Sequence, residues 1–337
     1  MTGNIRLLIL LGCMVTSVCF AQPPVKQTSA DTTFEEDDYE ELFSELDALL
    51  DSLVAPRNFA LFNIGIGSNY FNYKSKSNYF LEASRQTTYT PTLAYFFKNG
   101  LGISGSSVIV NDGENLNPYQ FYATASYDYM KKSSFISGIA LTHFFSKDSI
   151  PFYTSPLQNE LYGYFTYKKF RLKPSLAASY GWGSRSDFEK REEYITSLRL
   201  ALNGYTQVNT RESISDFSLI TSLRYDFFWM NILGGNDYIR LIPQLVFASG
   251  TQKFGFNQMS NSYATIPRTG VNYLYSSEQI YLDDEVYFQP LSLSAYLKSE
   301  YSKGKFFIQP QLVFDYYFPA TEKNFTTAFV LNAGVIF

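Results

Sequence analysis

Cysteine and histidine are nearly missing from this sequence. Both cysteines, Cys13 and Cys19, fall within the first 20 residues, and His143 is the only histidine among 337 residues. Disulfide scaffolds, thiol catalysis and nitrogen- or sulfur-rich metal sites therefore have nothing to build from. Charge is also scarce, at 17 % of residues with a net of -4, so a basic nucleic-acid surface is not expected. After the first twenty or so residues no apolar run approaches the roughly 18 residues that span a bilayer as a helix. What the chain has instead is aromatic side chains: 28 Tyr, 31 Phe and 2 Trp, or 18 %. That content excludes a disordered protein.

The start of the chain is read as a separate segment. Arg6 precedes the apolar stretch Leu7 to Phe20, and Ala21 is a small residue at its end. This predicts a secretory signal over 1–21, cleaved before Gln22. Leu10-Leu11-Gly12-Cys13 is the alternative, a lipobox with a short apolar core. Residues 22–56 then hold one base, Lys26, against ten acids, a net of -9, whereas residues 57–337 hold 25 bases against 21 acids, a net of +4. Within the acidic part Leu42, Phe43, Leu46, Leu49, Leu50 and Leu53 fall at helical spacing, which predicts one amphipathic helix ending before Pro56. A lone helix of this length has no core of its own and needs a surface to dock on.

From residue 57 onward the hydrophobic period is two. Short turns (98–100, 131–134, 168–169, 231–236 and 302–305) alternate with longer polar loops (about 72–85, 111–118, 146–156, 184–213, 251–284 and 319–325). Between them lie twelve alternating segments: 58–71, 86–97, 101–110, 119–130, 135–145, 157–168, 170–183, 214–230, 237–250, 285–301, 306–318 and 326–337. In the seventh, Leu172, Pro174, Leu176, Ala178, Tyr180 and Trp182 share one face, opposed by Arg171, Lys173, Ser175, Ala177 and Ser179. Alternation of this kind, with loops sorted by length onto two sides, predicts an all-β transmembrane antiparallel barrel of twelve strands over 57–337. Fourteen is the alternative, if 194–203 pairs across Asn203-Gly204 within the membrane instead of standing above it. Gly138, Pro174, Pro243 and Pro310 recur just after short turns, and their recurrence predicts local bulges.

The last residues, Asn332-Ala333-Gly334-Val335-Ile336-Phe337, resemble the terminal strand of bacterial outer-membrane proteins, which combines a polar residue, a Gly and a final aromatic. With the signal, Gln22 and the strand-proline pattern, residues 57–337 look like an outer-membrane β-barrel of a Bacteroidetes-type bacterium. That resemblance implies the cell outer membrane, lipid around the wall, both termini in the periplasm, and the barrel-assembly machinery as a partner of the strand ending at Phe337.

Residues that could carry catalytic chemistry are few. The outer-membrane phospholipases carry a His and a Ser two apart on one outward face, whereas Ser146 is three from His143 and so on the other face of a strand. No Asn in a matching position is apparent in the sequence to orient the imidazole, and His143 with Asp148 lacks the frame of an outer-membrane protease. No enzyme activity, no cofactor and no metal site is expected; Asp283-Asp284-Glu285 and Asp112-Gly113-Glu114 read as solvated loop charge. The informative residues are the charges that strand parity sends into the lumen: Asp128, Glu160, Lys168, Arg171, Lys173, Arg224, Asp226, Arg240, Lys298, Glu300 and Asp315. Six bases against five acids predict an ion-pair network and weak ion selectivity. Tyr122, Tyr162, Tyr164 and Tyr296 would narrow the lumen further. Lysines 98, 131, 132, 168, 169, 303 and 305 gather in the short turns, on the side where the acidic helix emerges. These readings predict a passive or weakly selective channel for small polar solutes, plugged or gated by the helix. The alternative is a non-conducting barrel serving an envelope complex, with residues 34–53 contacting a periplasmic protein; an outer-membrane hydrolase comes third.

Overall fold

The computed structural model describes residues 58–74, 81–111, 116–132, 134–147, 157–183, 215–251, 288–319 and 324–337. The signal segment, the acidic helix and the hairpin at 194–203 lie outside the described residues. The described chain forms thirteen strands: β1 (Phe59–Lys74), β2 (Leu81–Phe96), β3 (Leu101–Asn111), β4 (Leu116–Tyr129), β5 (Phe135–Ser146), β6 (Asn159–Tyr167) and β7 (Lys173–Trp182). They continue as β8 (Ser215–Arg224), β9 (Phe227–Met230), β10 (Asp237–Gly250), β11 (Gln289–Lys303), β12 (Phe306–Tyr317) and β13 (Phe325–Ile336). No described residue is helical.

All pairings are antiparallel, and β13 returns to β1 from Leu61↔Ile336 to Gly67↔Val330, so the sheet closes on itself. Phe337 completes the seam by exchanging backbone bonds with Ala60 at 3.1 and 2.8 Å. β10 pairs β8 over Gln244–Gly250 and β9 over Tyr238–Leu241. β8 and β9 thus occupy one wall position, and the barrel has twelve. This matches the single segment expected at 214–230.

The period of two sorts the side chains. Leu93, Ile103, Leu141, Leu176, Leu245 and Phe314 point outward and are exposed, and so do aromatic residues such as Phe121, Phe145 and Phe329. Thr92, Ser104, Thr142, Ala177, Val246 and Gln311 point inward and are buried. An apolar belt of this extent is stable only in lipid. The chain is a closed transmembrane β-barrel of the outer-membrane type.

Loops separate by length as expected, with one correction. The expected loop at 72–85 is largely strand, since β1 and β2 pair continuously from Phe59↔Phe96 to Lys74↔Leu81. The proline expectation also changes. No extra residue enters at Gly138, Pro174, Pro243 or Pro310. Instead, the ladder lapses beside each proline: β6–β7 pairing stops at Thr166↔Ser175, β8 gives way to β9 opposite Pro243, and β11–β12 pairing skips from Lys298↔Gln311 to Tyr301↔Ile308. A missing N–H removes a ladder donor without adding a residue. True register shifts occur near the long loops, one residue after Pro118 and Pro290. The extra residues there, Tyr119 and Leu291, are buried, and their carbonyls accept from Lys147 and Phe318 at 2.8 and 2.9 Å.

Candidate functional site

The inner face is the candidate site, because the outer face is committed to lipid. It is uneven around its circumference. From β13 through β1 to β5 the middle of the wall carries short side chains: Gly65, Thr88, Thr92, Ser104, Ser106, Thr124 and Thr142 among them. Several of their hydroxyls satisfy one another or the backbone, as in Thr92–Ser106 at 2.8 Å, Thr124–Thr142 at 2.9 Å and Thr88 donating to the Gly67 carbonyl at 3.3 Å, whereas the buried Ser104 hydroxyl makes no hydrogen bond among the described residues. Apolar clusters bound this zone. Val108, Val110, Tyr119, Tyr122 and Phe144 lie toward the long loops, and Leu61, Ala94, Phe96 and Phe307 toward the short turns.

From β6 to β12 the inward side chains are longer and many are charged. A mid-height belt of Tyr162, Ala177, Ile220, Val246, Tyr296 and Val313 packs as one cluster. Toward the short turns lies a charged group centred on Asp226. Its carboxylate faces Lys173 Nζ at 3.1 Å, Arg240 Nη2 at 3.1 Å and Arg224 Nε at 3.6 Å. Asp226 reaches this position because the wall strand is interrupted at Tyr225-Asp226, opposite Pro243, where Tyr225 N–H donates to the Pro243 carbonyl at 3.1 Å. Lys298 is buried and lies within electrostatic range of Glu300, Asp226, Arg224 and Arg240. Glu300 is wholly buried and accepts from the Tyr238 hydroxyl at 2.6 Å and from Gln309 Nε2 at 3.0 Å. Six of the expected lumen charges, Lys173, Arg224, Asp226, Arg240, Lys298 and Glu300, thus meet in one place.

The five others are placed apart from that group. Asp128, at the short-turn end of β4, accepts from the Tyr164 hydroxyl. Gly138 permits that contact, since a Cβ there would lie 2.3 Å from Asp128 Oδ1 and 2.6 Å from the Tyr164 ring. Glu160 accepts from Ser179 at 2.7 Å, and Asp315 accepts from Ser294. Arg171 is not lumenal. β7 begins only at Lys173, and Arg171 stands exposed in the preceding turn, with Lys168 in the same turn. Asp216, buried and 3.4 Å from the Thr251 hydroxyl, was missed, although its parity with Ser218, Ile220, Ser222 and Arg224 announces it. The other turn lysines are exposed at the short-turn end, two of them over aromatic rings: Lys132 over Phe135 at 5.5 Å and Lys305 over Phe337 at 5.8 Å. The helix residues Leu42, Phe43, Leu46, Leu49, Leu50 and Leu53 lie outside the described residues.

His143 is on the outer face, and the structure adds a partner for it. Asn159 on the adjacent strand places Oδ1 2.7 Å from His143 Nδ1, so an orienting Asn exists after all. It escaped the sequence because the pair forms across β5 and β6. The nucleophile position is nonetheless filled by Phe145, whose ring stands edge-on to the imidazole at 4.5 Å. Ser146 accepts from Gln120 Nε2 at 3.1 Å, and the flanking outward residues Phe121, Ala123 and Leu161 carry no hydroxyl. An imidazole oriented this way has no Ser or Thr beside it to activate, among the described residues. No group of three or more His, Cys, Asp or Glu able to hold a metal occurs among them either.

No protein-family model matches the chain, and no curated protein is similar to it. Among solved structures it is similar to the porin NanC, at 10 % identity and a TM-score of 0.37 over 82 % of this chain and 98 % of that one. The KdgM porin is similar at 10 % and 0.36, over 80 % and 98 %. The β-domain of the Bordetella autotransporter Brka is similar at 6 % and 0.40, over 82 % and 98 %. These likenesses lie in barrel architecture and say nothing of what this chain carries or binds.

Proposed function

We propose that the chain is a bacterial outer-membrane channel for small polar solutes, with the short-turn end toward the periplasm. The observation that supports this is the inner face itself: hydroxyls, amides and ionised groups line a closed wall whose outside is apolar. Burying that many polar groups brings no advantage to a wall element alone, because each must be satisfied to avoid a penalty of about 1–3 kcal/mol. Solutes that can exchange hydrogen bonds with such a lining cross it at low cost. Side chains as large as Tyr162, Tyr296 and Lys298 project into that lining and are buried there, so the passage is narrow and favours small solutes. The same tight filling favours the second reading, a non-conducting barrel that serves an envelope complex.

Planar-bilayer recording separates the two. The channel reading expects discrete steps from the protein lacking its signal segment. A version also lacking residues 22–56 tests the plug: steps from this form alone assign the acidic segment that role. Silence from both ends the channel reading, and partners lost on deleting 22–56 would then support the scaffold.

A further inference from the structure

We propose that the free edge of β9 is a docking site at which an extended segment of a second protein, apolar at alternate positions and acidic at its flank, adds a strand to the wall. This goes beyond conduction and stands whether or not the barrel conducts. Among the described strands β9 alone is bonded on one side only: it pairs β10, and no described strand or turn bonds its other edge. The cause is a step in the wall. β7 begins at Lys173, opposite Arg224, while the strand opposite runs on through β9 to Met230. Tyr225 N–H donates to the Pro243 carbonyl and Asn231 N–H to the Asp237 carbonyl, at 3.1 and 2.9 Å. Odd-numbered residues thus turn their amides to β10, and the backbone groups of Phe228 and Met230 face the open side.

An unpaired strand edge is a template on which another extended chain can add itself. This one is presented by a fixed turn: the Asp237 carboxylate accepts from the N–H groups of Ile232 and Leu233 at 2.9 and 3.1 Å, and Asn231 Oδ1 accepts from Asn236 N–H at 2.9 Å. Phe228 and Met230 share the inward parity of their partners Arg240 and Tyr238, so lipid does not cover them, yet they are 38 % and 46 % exposed. An added strand with apolar side chains at alternate positions buries that surface favourably. Charge selects the occupant further. The turn that leads into β7 adjoins the open edge, since Lys173 pairs Arg224, and it presents exposed Lys169 and Arg171. An acidic flank complements these two, whereas a second copy of this chain, pairing β9 with β9, would bring two such cationic turns together.

Fluorescence anisotropy of a labelled synthetic peptide, alternating Phe and Thr and flanked by Glu, tests the site when titrated with the full chain in detergent. Saturable binding is expected, and about tenfold weaker binding for the same peptide N-methylated through its core and for the variant Met230→Pro. Proline at that position removes a donor of the open edge and leaves the β10 ladder intact. Met230→Leu keeps both the N–H and the apolar surface and should retain the affinity. Reversing the turn charges with Lys169→Glu and Arg171→Glu should weaken the Glu-flanked peptide and strengthen a Lys-flanked counterpart. Heat-modifiable gel mobility confirms that each variant is a folded barrel. No saturable binding to the folded wild type, or equal binding of the N-methylated peptide, overturns the proposal. Sedimentation showing a wild-type dimer that Met230→Pro dissociates overturns it in favour of a second copy.

Discussion

From β13 round to β5 the mid-lumen wall carries mostly short inward side chains, hydroxyls beside the amides of Asn63 and Asn332, with Asp128 the one described inward charge, whereas β6 to β12 bring longer side chains and nine ionised groups to the same interior. The first half is tied by short neighbour-to-neighbour bonds such as Thr92–Ser106 and Thr124–Thr142, which need no counter-charge. In the second half Asp226 and Glu300 each depend on partners from different strands.

This difference can be broken at its charged side with the largest effect. Asp226→Ala leaves Lys173, Arg224 and Arg240 facing one another, and we expect a loss of about 3–5 kcal/mol, read by denaturant unfolding followed by tryptophan fluorescence. Tyr296→Ala removes a filler of the mid-height belt and should cost about 2–4 kcal/mol while enlarging any conductance step. Gly138→Ala forces a methyl against the Asp128–Tyr164 contact, with an expected cost of about 1–3 kcal/mol in the same assay. On the neutral arc the double variant Thr92→Ala with Ser106→Ala deletes both ends of one bond. We expect a change under about 1 kcal/mol and no change in ion preference. A double variant as costly as Asp226→Ala would erase the distinction between the arcs.

Much of the architecture was legible in the sequence, because in a barrel wall the side-chain period, the turn residues and the sorting of loop lengths all report the same geometry. The twelve segments fall on the twelve wall positions for that reason. Finer features depend on what lies across a ladder, which one strand does not display. Segment 214–230 reads as unbroken, and only its pairing with Pro243 shows why it opens at Tyr225-Asp226 and turns the Asp226 carboxylate into three cations. Arg171 was assigned inward by continuing parity two residues past the true start of β7. Asn159 was overlooked as the partner of His143 because it is 16 residues away and adjacent only through β5–β6 pairing. The total of lumen charges was nearly balanced in the sequence, while their segregation along the axis required the register of every strand.

The central claim is that this barrel conducts and that the bulky arc sets its width. Single-channel recording of the wild type beside Tyr296→Ala tests it most directly. The account predicts small steps from the wild type and larger ones from the variant. Silence from both, or steps of equal size, would contradict it.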